Sequence, residues 1–281
     1  MQKLFFLTLD LEEWYHLDYF KDDAVSKKTV MLNNLTPFFN ILDKYKIKIT
    51  VFVLAELIKE HAKLIKNISN RGHEIAIHGW NHELLYNKTN EAFRIEIIKA
   101  KYELETLTKQ KIIGYRAPCF SMDNEKLEIL SEIGLKYDSS YIQFNEHPLY
   151  GNLSMKGFNQ IDDLIYQKDH FYEFELVTTN VFGKEIPISG GGYFRFFPKL
   201  VFSFLWKKFL KKHHNYIMYI HPFELTEKKV NLAGISISKK LRFSLGRKNN
   251  LQNLEHHIKK TLKQGFKFNT IKNYVDNLEK S

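Results

Sequence analysis

Short apolar runs of strand length alternate along this chain with stretches of helical periodicity, and three of the helical stretches end in the same way. "SNRGHEI", "SEIGLKY" and "LKQGFKF" each place a glycine (Gly72, Gly134, Gly265) after a polar helix end and directly before a strand. A glycine there adopts the left-handed backbone that closes a helix and turns the chain into a strand. Strands and helices alternating through such joints require a mostly parallel sheet or barrel covered by helices. The pattern predicts strands at 3–10, 48–54, 73–78, 111–116, near 135–138, 171–177, 215–221 and 266–269. It predicts helices at 29–45, 56–70, 88–108, 123–133, 198–212, 251–264 and 270–279. No repeat or linker divides the 281 residues, so 1–281 reads as a single domain. Within it, 143–190 forms a less regular insertion, 222–250 a polar loop region, and 222–281 a C-terminal extension packed on the sheet.

Hydrophobic residues make up 44% of the chain, with 23 Phe and 15 Tyr, which is enough for a large core and excludes disorder. The net charge is +10, but it comes from thirty-six dispersed lysines and only six arginines. That favours an anionic partner such as a membrane surface or phosphorylated substrate and argues against nucleic acid. Where lysine is so strongly preferred, an arginine marks a place that needs a planar, bidentate donor. A lone Cys119 excludes an intramolecular disulfide. With no basic-then-apolar leader and no apolar run of membrane-spanning length, the expected location is the cytoplasm, at most at the inner face of the membrane. The oligomeric state is open.

In parallel α/β folds, sites form where strands end. Asp10 and Glu12 close the first strand, His78 the third, Arg116 the fourth and His221 the seventh. "IHGWNH" spaces His78 and His82 four apart, so both rings can face one cation; Gly79 stands where a zinc-protease motif would need Glu. Side chains alternate along a strand, so Asp10 and Glu12 share one side while Glu13 points away. Two imidazoles, a carboxylate and an open position would make a catalytic metal centre. Arg116 in "GYRAPCF" is placed to hold Asp10 ionised, and His221 in "YIHPFEL" to act as acid or base, with Asp138 or Glu224 as orienting partner. Cys119 lacks any group to stabilise a thiolate. "ISGGGYFRFFP" reads either as a close-packed turn or as a groove lined by Gly191, Gly192, Tyr193 and Arg195. The helix after it pairs an apolar face (Leu200, Val201, Phe204, Leu205, Leu210) with Lys207, Lys208, Lys211 and Lys212, a pattern suited to core packing or peripheral membrane contact.

Together and in order, "TLDLEEW", "HGWNH", "YRAPCF" and "YIHPFEL" resemble the polysaccharide deacetylases, the NodB-homology carbohydrate esterases of family 4. "PISGGGYFRFFP" and "HPFEL" are similar to the branch found with exopolysaccharide and O-antigen clusters. The resemblance implies an α/β fold, a distorted (β/α) barrel of about seven strands. It also implies metal-dependent removal of acetyl from an N-acetylated sugar, nucleotide-, lipid- or oligosaccharide-linked, in surface polysaccharide synthesis. By position, Asp10 would be the base, Arg116 its partner, His221 the acid, and His78 and His82 ligands of a divalent metal, Zn with Co or Ni as alternatives. An amide from Pro118–Phe120 (Pro118, Cys119, Phe120) would hold the oxyanion, and Asp138 would lie at the substrate. The usual adjacent second aspartate is Leu11 here, which shifts the carboxylate ligand to Glu12, with Glu13 as fallback. Hydrolysis of a non-sugar amide, as in allantoinase-like relatives, and a silent glycan-binding or membrane-associated scaffold are the competing readings.

Overall fold

A computed structural model describes residues 2–144 and 149–280; residues 145–148 of the expected insertion lie outside it. The central strand is β1 (Lys3–Leu11), buried at every position except Lys3. A strand covered on both faces is mostly apolar, which is why "LFFLTLDL" opens on an apolar run, and its polar residues Thr8 and Asp10 are buried with Arg116 as partner. β1 pairs in parallel with β2 (Thr50–Val53) on its C-terminal half. It also pairs in parallel with β11 (Tyr216–Ile220) and, at its start, with β12 (Phe266–Phe268). The parallel run continues from β2 through β3 (Glu74–Ile77), β4 (Gly114–Tyr115) and β5 (Tyr137–Asp138) to β8 (Phe171–Phe174). From β11 to β8 this gives seven parallel strands in the order β11-β1-β2-β3-β4-β5-β8. Among the described residues no ladder joins β8 to β11; a single parallel bridge, Gly190 to Tyr219, lies beside β11.

Helices α1 (Thr36–Lys44), α2 (Ile58–Asn70), α3 (Asn90–Thr108) and α4 (Asn124–Glu132) link the successive parallel strands. α8 (Asn250–Lys263) and α9 (Ile271–Leu278) flank β12. Local chemistry sets their ends. Thr89, Asp123 and Thr270 accept a hydrogen bond from the third backbone N–H ahead, capping α3, α4 and α9. Gly72, Gly134 and Gly265 all have φ near +80°, as the three joints require.

Four expectations need correction. The helix expected from residue 29 begins at Thr36, because the Glu13 carboxylate takes the N–H groups of Met31 and Leu32 and holds that segment against the site. The strand expected at 111–116 shrinks to Gly114–Tyr115, where a Cβ on Gly114 would lie 1.9 Å from the Tyr137 ring. The insertion at 143–190 is more regular than expected: β6 (Asn159–Asp162) and β7 (Ile165–Lys168) extend the sheet antiparallel beyond β8. β9 (Thr178–Val181) and β10 (Lys184–Pro187) form a separate hairpin. The polar region at 222–250 contains a helix, α7 (Ile237–Ser244), and the Gly triplet opens α5 (Gly191–Phe196), which leads into α6 (Lys199–Phe209).

The main core fills the space between sheet and helices. A smaller apolar cluster of Trp14, Leu17, Phe20, Met31, Phe223, Ile235 and Phe243 sits apart from it, joining the segment after β1 to the segment after β11. Among the described residues, no helix is long and apolar enough to cross a membrane.

Candidate active site

The strand ends converge on one pocket of about 310 Å³, bordered by Asp10, Glu12, His78, His82 and His221. That volume suits one or two sugar rings rather than a flat surface contact. Asp10 projects to the pocket from β1 and Glu12 from the residue just past its end, both only 2% exposed. Glu13 turns the other way, and its carboxylate accepts the Met31 N–H at 2.8 and 2.9 Å and the Leu32 N–H at 2.9 Å. The alternation of the extended chain thus separates the two glutamates, and the Glu13 carboxylate is already engaged by backbone N–H groups.

Arg116 is fully buried and uses its planar fork in several directions. Nη1 donates to Asp10 Oδ1 at 2.8 Å and to Thr8 Oγ1 at 2.6 Å, Nε to the Ser139 carbonyl, and Nη2 to Ser139 Oγ. The guanidinium also stacks on Phe52 with 4.1 Å to the ring centroid. Burial would raise the Asp10 pKa, but Arg116, with His78 and His221, outweighs it and holds the carboxyl below its ordinary value.

Glu12 has the opposite environment. Burial pushes its pKa up to about 8, and neither carboxylate oxygen has a hydrogen-bond partner. Its Oε2 lies 3.1 Å from His82 Nε2, in a geometry that makes no hydrogen bond, and His82 Nδ1 is also unpartnered. His78 donates from Nδ1 to the Arg116 carbonyl at 2.9 Å, since a carbonyl can only accept, and this leaves Nε2 as a lone pair facing the pocket. Burial lowers the pKa of both histidines, keeping them neutral. Donor atoms of Glu12, His78 and His82 all lie within 4.8 Å of one another. Two neutral imidazoles and a carboxylate with nothing to bond are the donor set of a divalent cation that keeps an open position. Orphaned buried oxygens are costly unless such a partner satisfies them.

His221 follows β11 and faces the carboxylates from the other side, its Nε2 3.6 Å from Glu12 Oε1 and 4.0 Å from Asp10 Oδ2. Its Nδ1 lies 3.3 Å from Glu224 Oε2, which also accepts the His221 backbone N–H at 3.0 Å. Burial favours the neutral ring, but the hydrogen bond and charge of Glu224, with Glu12 and Asp10, raise its pKa to about 9. Glu224, and not Asp138, is thus the group that orients His221.

Three expectations about the substrate groove change. Asp138 is fully buried away from the pocket, where it accepts from Ser140 Oγ at 3.0 Å, and burial raises its pKa against the hydrogen bonds of Glu173 and Ser140, which lower it. It supports the Ala117 loop, since Ser140 Oγ accepts the Ala117 N–H. Arg195 borders the pocket with its donors already used: Nε on Glu224 Oε1 at 3.1 Å, Nη2 on the Arg242 carbonyl at 2.8 Å, and Nη1 on the Leu245 carbonyl. Gly191 serves close packing, because a Cβ there would meet Glu224 Oε2 at 2.1 Å, whereas Gly192 and Tyr193 do border the pocket.

Cys119 and Phe120 line the pocket, with Pro118 buried behind them. Both lining residues have left-handed backbones, φ 48° and 56°, an uncommon strain for side-chain-bearing residues that concentrates at functional sites. Burial raises the Cys119 thiol pKa, so it is no thiolate nucleophile. Phe120 N–H donates to Ala117 O and Ser121 N–H to Pro118 O, and neither bond uses the Cys119 N–H. Sequence reasoning missed Tyr19, Tyr150, Tyr219, Phe223 and Arg242, which complete the wall. Only Tyr219 carried a signal, two positions before His221 on the same strand and hence on the same side.

Residues 22–137 match the family model for polysaccharide deacetylase, and residues 139–276 match a domain of unknown function, DUF3473. A peptidoglycan deacetylase of Helicobacter pylori is 28% identical over 129 residues, 46% of this chain and 44% of that protein. The peptidoglycan-N-acetylmuramic acid deacetylase PdaA of Bacillus subtilis is 25% identical over 181 residues, 55% of this chain and 69% of that one. The chain thus spans less than half the length of the first relative. A polysaccharide deacetylase-type structure from Mycobacterium smegmatis superposes with a TM-score of 0.61 at 18% identity, over 99% of this chain and 91% of that one, a likeness of fold.

Proposed function

From the premise that this chain carries a polysaccharide deacetylase domain, we propose that it hydrolyses the acetamide of an N-acetylated sugar in a glycan, with a divalent cation at Glu12, His78 and His82. The observation that carries this reading is the pairing, within one pocket, of a carboxylate held ionised (Asp10) with an imidazole held protonated (His221), 4.0 Å apart and beside the Glu12–His78–His82 set. Pushing two titratable groups apart in this way assigns a base and an acid.

A bound cation would polarise the acetyl carbonyl and make a coordinated water acidic. Asp10, fixed by Arg116, accepts the proton of the attacking water at Oδ2, the oxygen that Arg116 leaves free. The Cys119 N–H, displayed by its left-handed backbone, donates to the carbonyl oxygen as it gains charge. His221, held by Glu224, gives its Nε2 proton to the departing nitrogen, releasing acetate and a free amino sugar. Tyr19, Tyr150 and Phe223 border the pocket and supply the aromatic part of the wall that a sugar ring would meet. Zinc fits a set of two imidazoles and one carboxylate, with cobalt or nickel as substitutes.

The test is acetate release from N-acetylated oligosaccharides and sugar nucleotides by metal-stripped protein, before and after adding zinc. Release that appears only with metal is expected. Cleavage of a cyclic ureide with no acetate from any N-acetyl sugar would replace the substrate class.

A further inference from the structure

Helices α6 and α7 carry apolar side chains that the chain itself leaves open; α7 borders the pocket through Arg242, and α6 follows α5, which also borders it. On α7, Ile237 and Leu241 are 76% and 59% exposed, and Leu245, just past the helix end, is 55% exposed. Ile237 and Leu241 lie one turn apart on one face, while Phe243 is buried. On α6, Leu200 and Phe204 are 86% and 57% exposed, with Phe202, Leu205 and Trp206 buried on the opposite side. Sequence periodicity had placed Leu200, Val201 and Phe204 on one face with Leu205; they lie outside the core. Arg195 of α5, the helix that leads into α6, donates to the carbonyls of Arg242 and Phe243 in the last turn of α7 and of Leu245 just past it. Arg242 of α7 also borders the pocket.

The segments that carry these helices are rich in cations, although Asp23 pairs with Lys239 of α7. Residues 186–223 contain one arginine, five lysines and no acid, and residues 228–254 contain seven lysines and arginines and no acid. Arg195, Arg247 and Lys239 are engaged internally. Lys199, Lys207, Lys211, Lys212, Lys229 and Lys248 are exposed. The chain as a whole has 32 acids against 42 cations, so two long segments without one acid are a local feature and not a reflection of overall composition. Exposed apolar side chains in segments rich in lysine match the boundary of an anionic bilayer, where acyl chains take the apolar side chains and headgroups the lysines. A second copy of the chain would set cation against cation, and a soluble polyanion would leave Leu200 and Leu241 in water.

We propose that α6 and α7 dock this protein on an anionic lipid bilayer, with the pocket opening at the edge of the docked surface. The docking is independent of the reaction and is measured without substrate, so its failure would leave the deacetylase reading standing. Flotation of the full chain with phosphatidylcholine vesicles, with and without phosphatidylglycerol, reads it directly. The wild type should float only with the phosphatidylglycerol vesicles and be released by high salt. Leu241→Glu and the pair Leu200→Glu, Phe204→Glu should each reduce binding by about tenfold. Their far-UV spectra should stay native; should either glutamate variant misfold, Leu241→Ser carries the same comparison. Flotation equal to wild type in folded variants would overturn the proposal. So would failure of the wild type to float, binding to a soluble polyanion without binding to vesicles, or a concentration-dependent dimer in size-exclusion chromatography that Leu241→Glu abolishes.

Discussion

Glu12 and Glu13 are neighbours of identical chemistry with opposite tasks, and the difference is set by a single step of strand alternation. Glu13 satisfies two buried backbone N–H groups, whereas Glu12 satisfies none. Glu13→Gln should therefore keep its metal while losing about 1–3 kcal/mol of stability, the cost of replacing a charged acceptor of buried donors. Glu12→Gln should lose metal, measured by elemental analysis, with stability unchanged or raised in the metal-free protein, because an uncompensated buried carboxylate is removed. The reverse pattern would move the ligand to Glu13. A second prediction concerns pH. Asp10 must be ionised and His221 protonated, so with metal in excess, to hold Glu12 ionised against its raised pKa, activity should extend to the acid side of the ordinary carboxylate range and fall near pH 9 on the basic side. Burial pulls the His221 pKa down and Glu224 pulls it up, so Glu224→Gln should shift the basic limb to lower pH, read from kcat against pH. His221→Ala should leave metal content unchanged while slowing turnover about 10²–10⁴-fold. Residues whose position follows from alternation or helical spacing, such as Asp10, Glu12, His78 and His82, were legible in the sequence. Arg195 was legible as unusual because arginine is scarce, yet its partners are carbonyls more than forty residues away, which no local pattern encodes. Asp138 had the right strand end and the wrong depth, because Ser140 and Glu173 enclose it.

The Gly triplet shows how an element is constrained from outside itself. Alanine is a better helix former than glycine by about 1 kcal/mol, so local propensity favours alanine throughout α5. At Gly191, however, an added Cβ would lie 2.1 Å from Glu224 Oε2, while at Gly192 the nearest atom is 3.8 Å away. Gly192→Ala should thus be neutral or slightly stabilising with little change in rate. Gly191→Ala must displace Glu224 or α5, costing about 1–3 kcal/mol and disturbing the hydrogen bond that orients His221. Thermal melts and kcat for the two variants check this; equal effects would mean that α5 shifts freely. The helices closed by Gly72, Gly134 and Gly265 and capped by Thr89, Asp123 and Thr270 were readable because each signal is local. The hairpins β6–β7 and β9–β10 were not. "NQID" and "TTNV" are polar, half-exposed strands whose pairing is decided by neighbours in the sheet, so they carry no apolar period to read.

The two regions matched by family models meet between Tyr137 and Ser139, in the middle of one sheet. β5, at the end of the first, pairs with β8 of the second, and β1 pairs with β11 and β12, both in the second. Without the second region β1 would lose β11 and β12, and Phe5 would lose its contacts with Trp206, Tyr216 and Phe268. The α9 segment also caps the far side, where the Ile271 N–H donates to Thr50 Oγ1 and the Lys272 N–H to Glu74 Oε2. The chemistry is divided in the same way, with Asp10, Glu12, His78, His82 and Arg116 on one side of the boundary and Arg195, His221 and Glu224 on the other. Alternating strands and helices announced the parallel sheet, but not that its central strand would be paired by segments more than two hundred residues later, because long-range pairing leaves no mark in a local window. Fragments 1–138 and 139–281, produced separately, should each expose one edge of a broken sheet, aggregate or remain unfolded, and show no cooperative thermal transition. Fragment 1–138 contains all three metal-ligand candidates, so its metal binding is the informative measurement. Binding of zinc as tightly as the whole chain, together with a cooperative melt, would show that the first region is an independent unit and that the second only adds the acid. The pairing of β1 with β11 predicts instead that neither property appears until both fragments are refolded together.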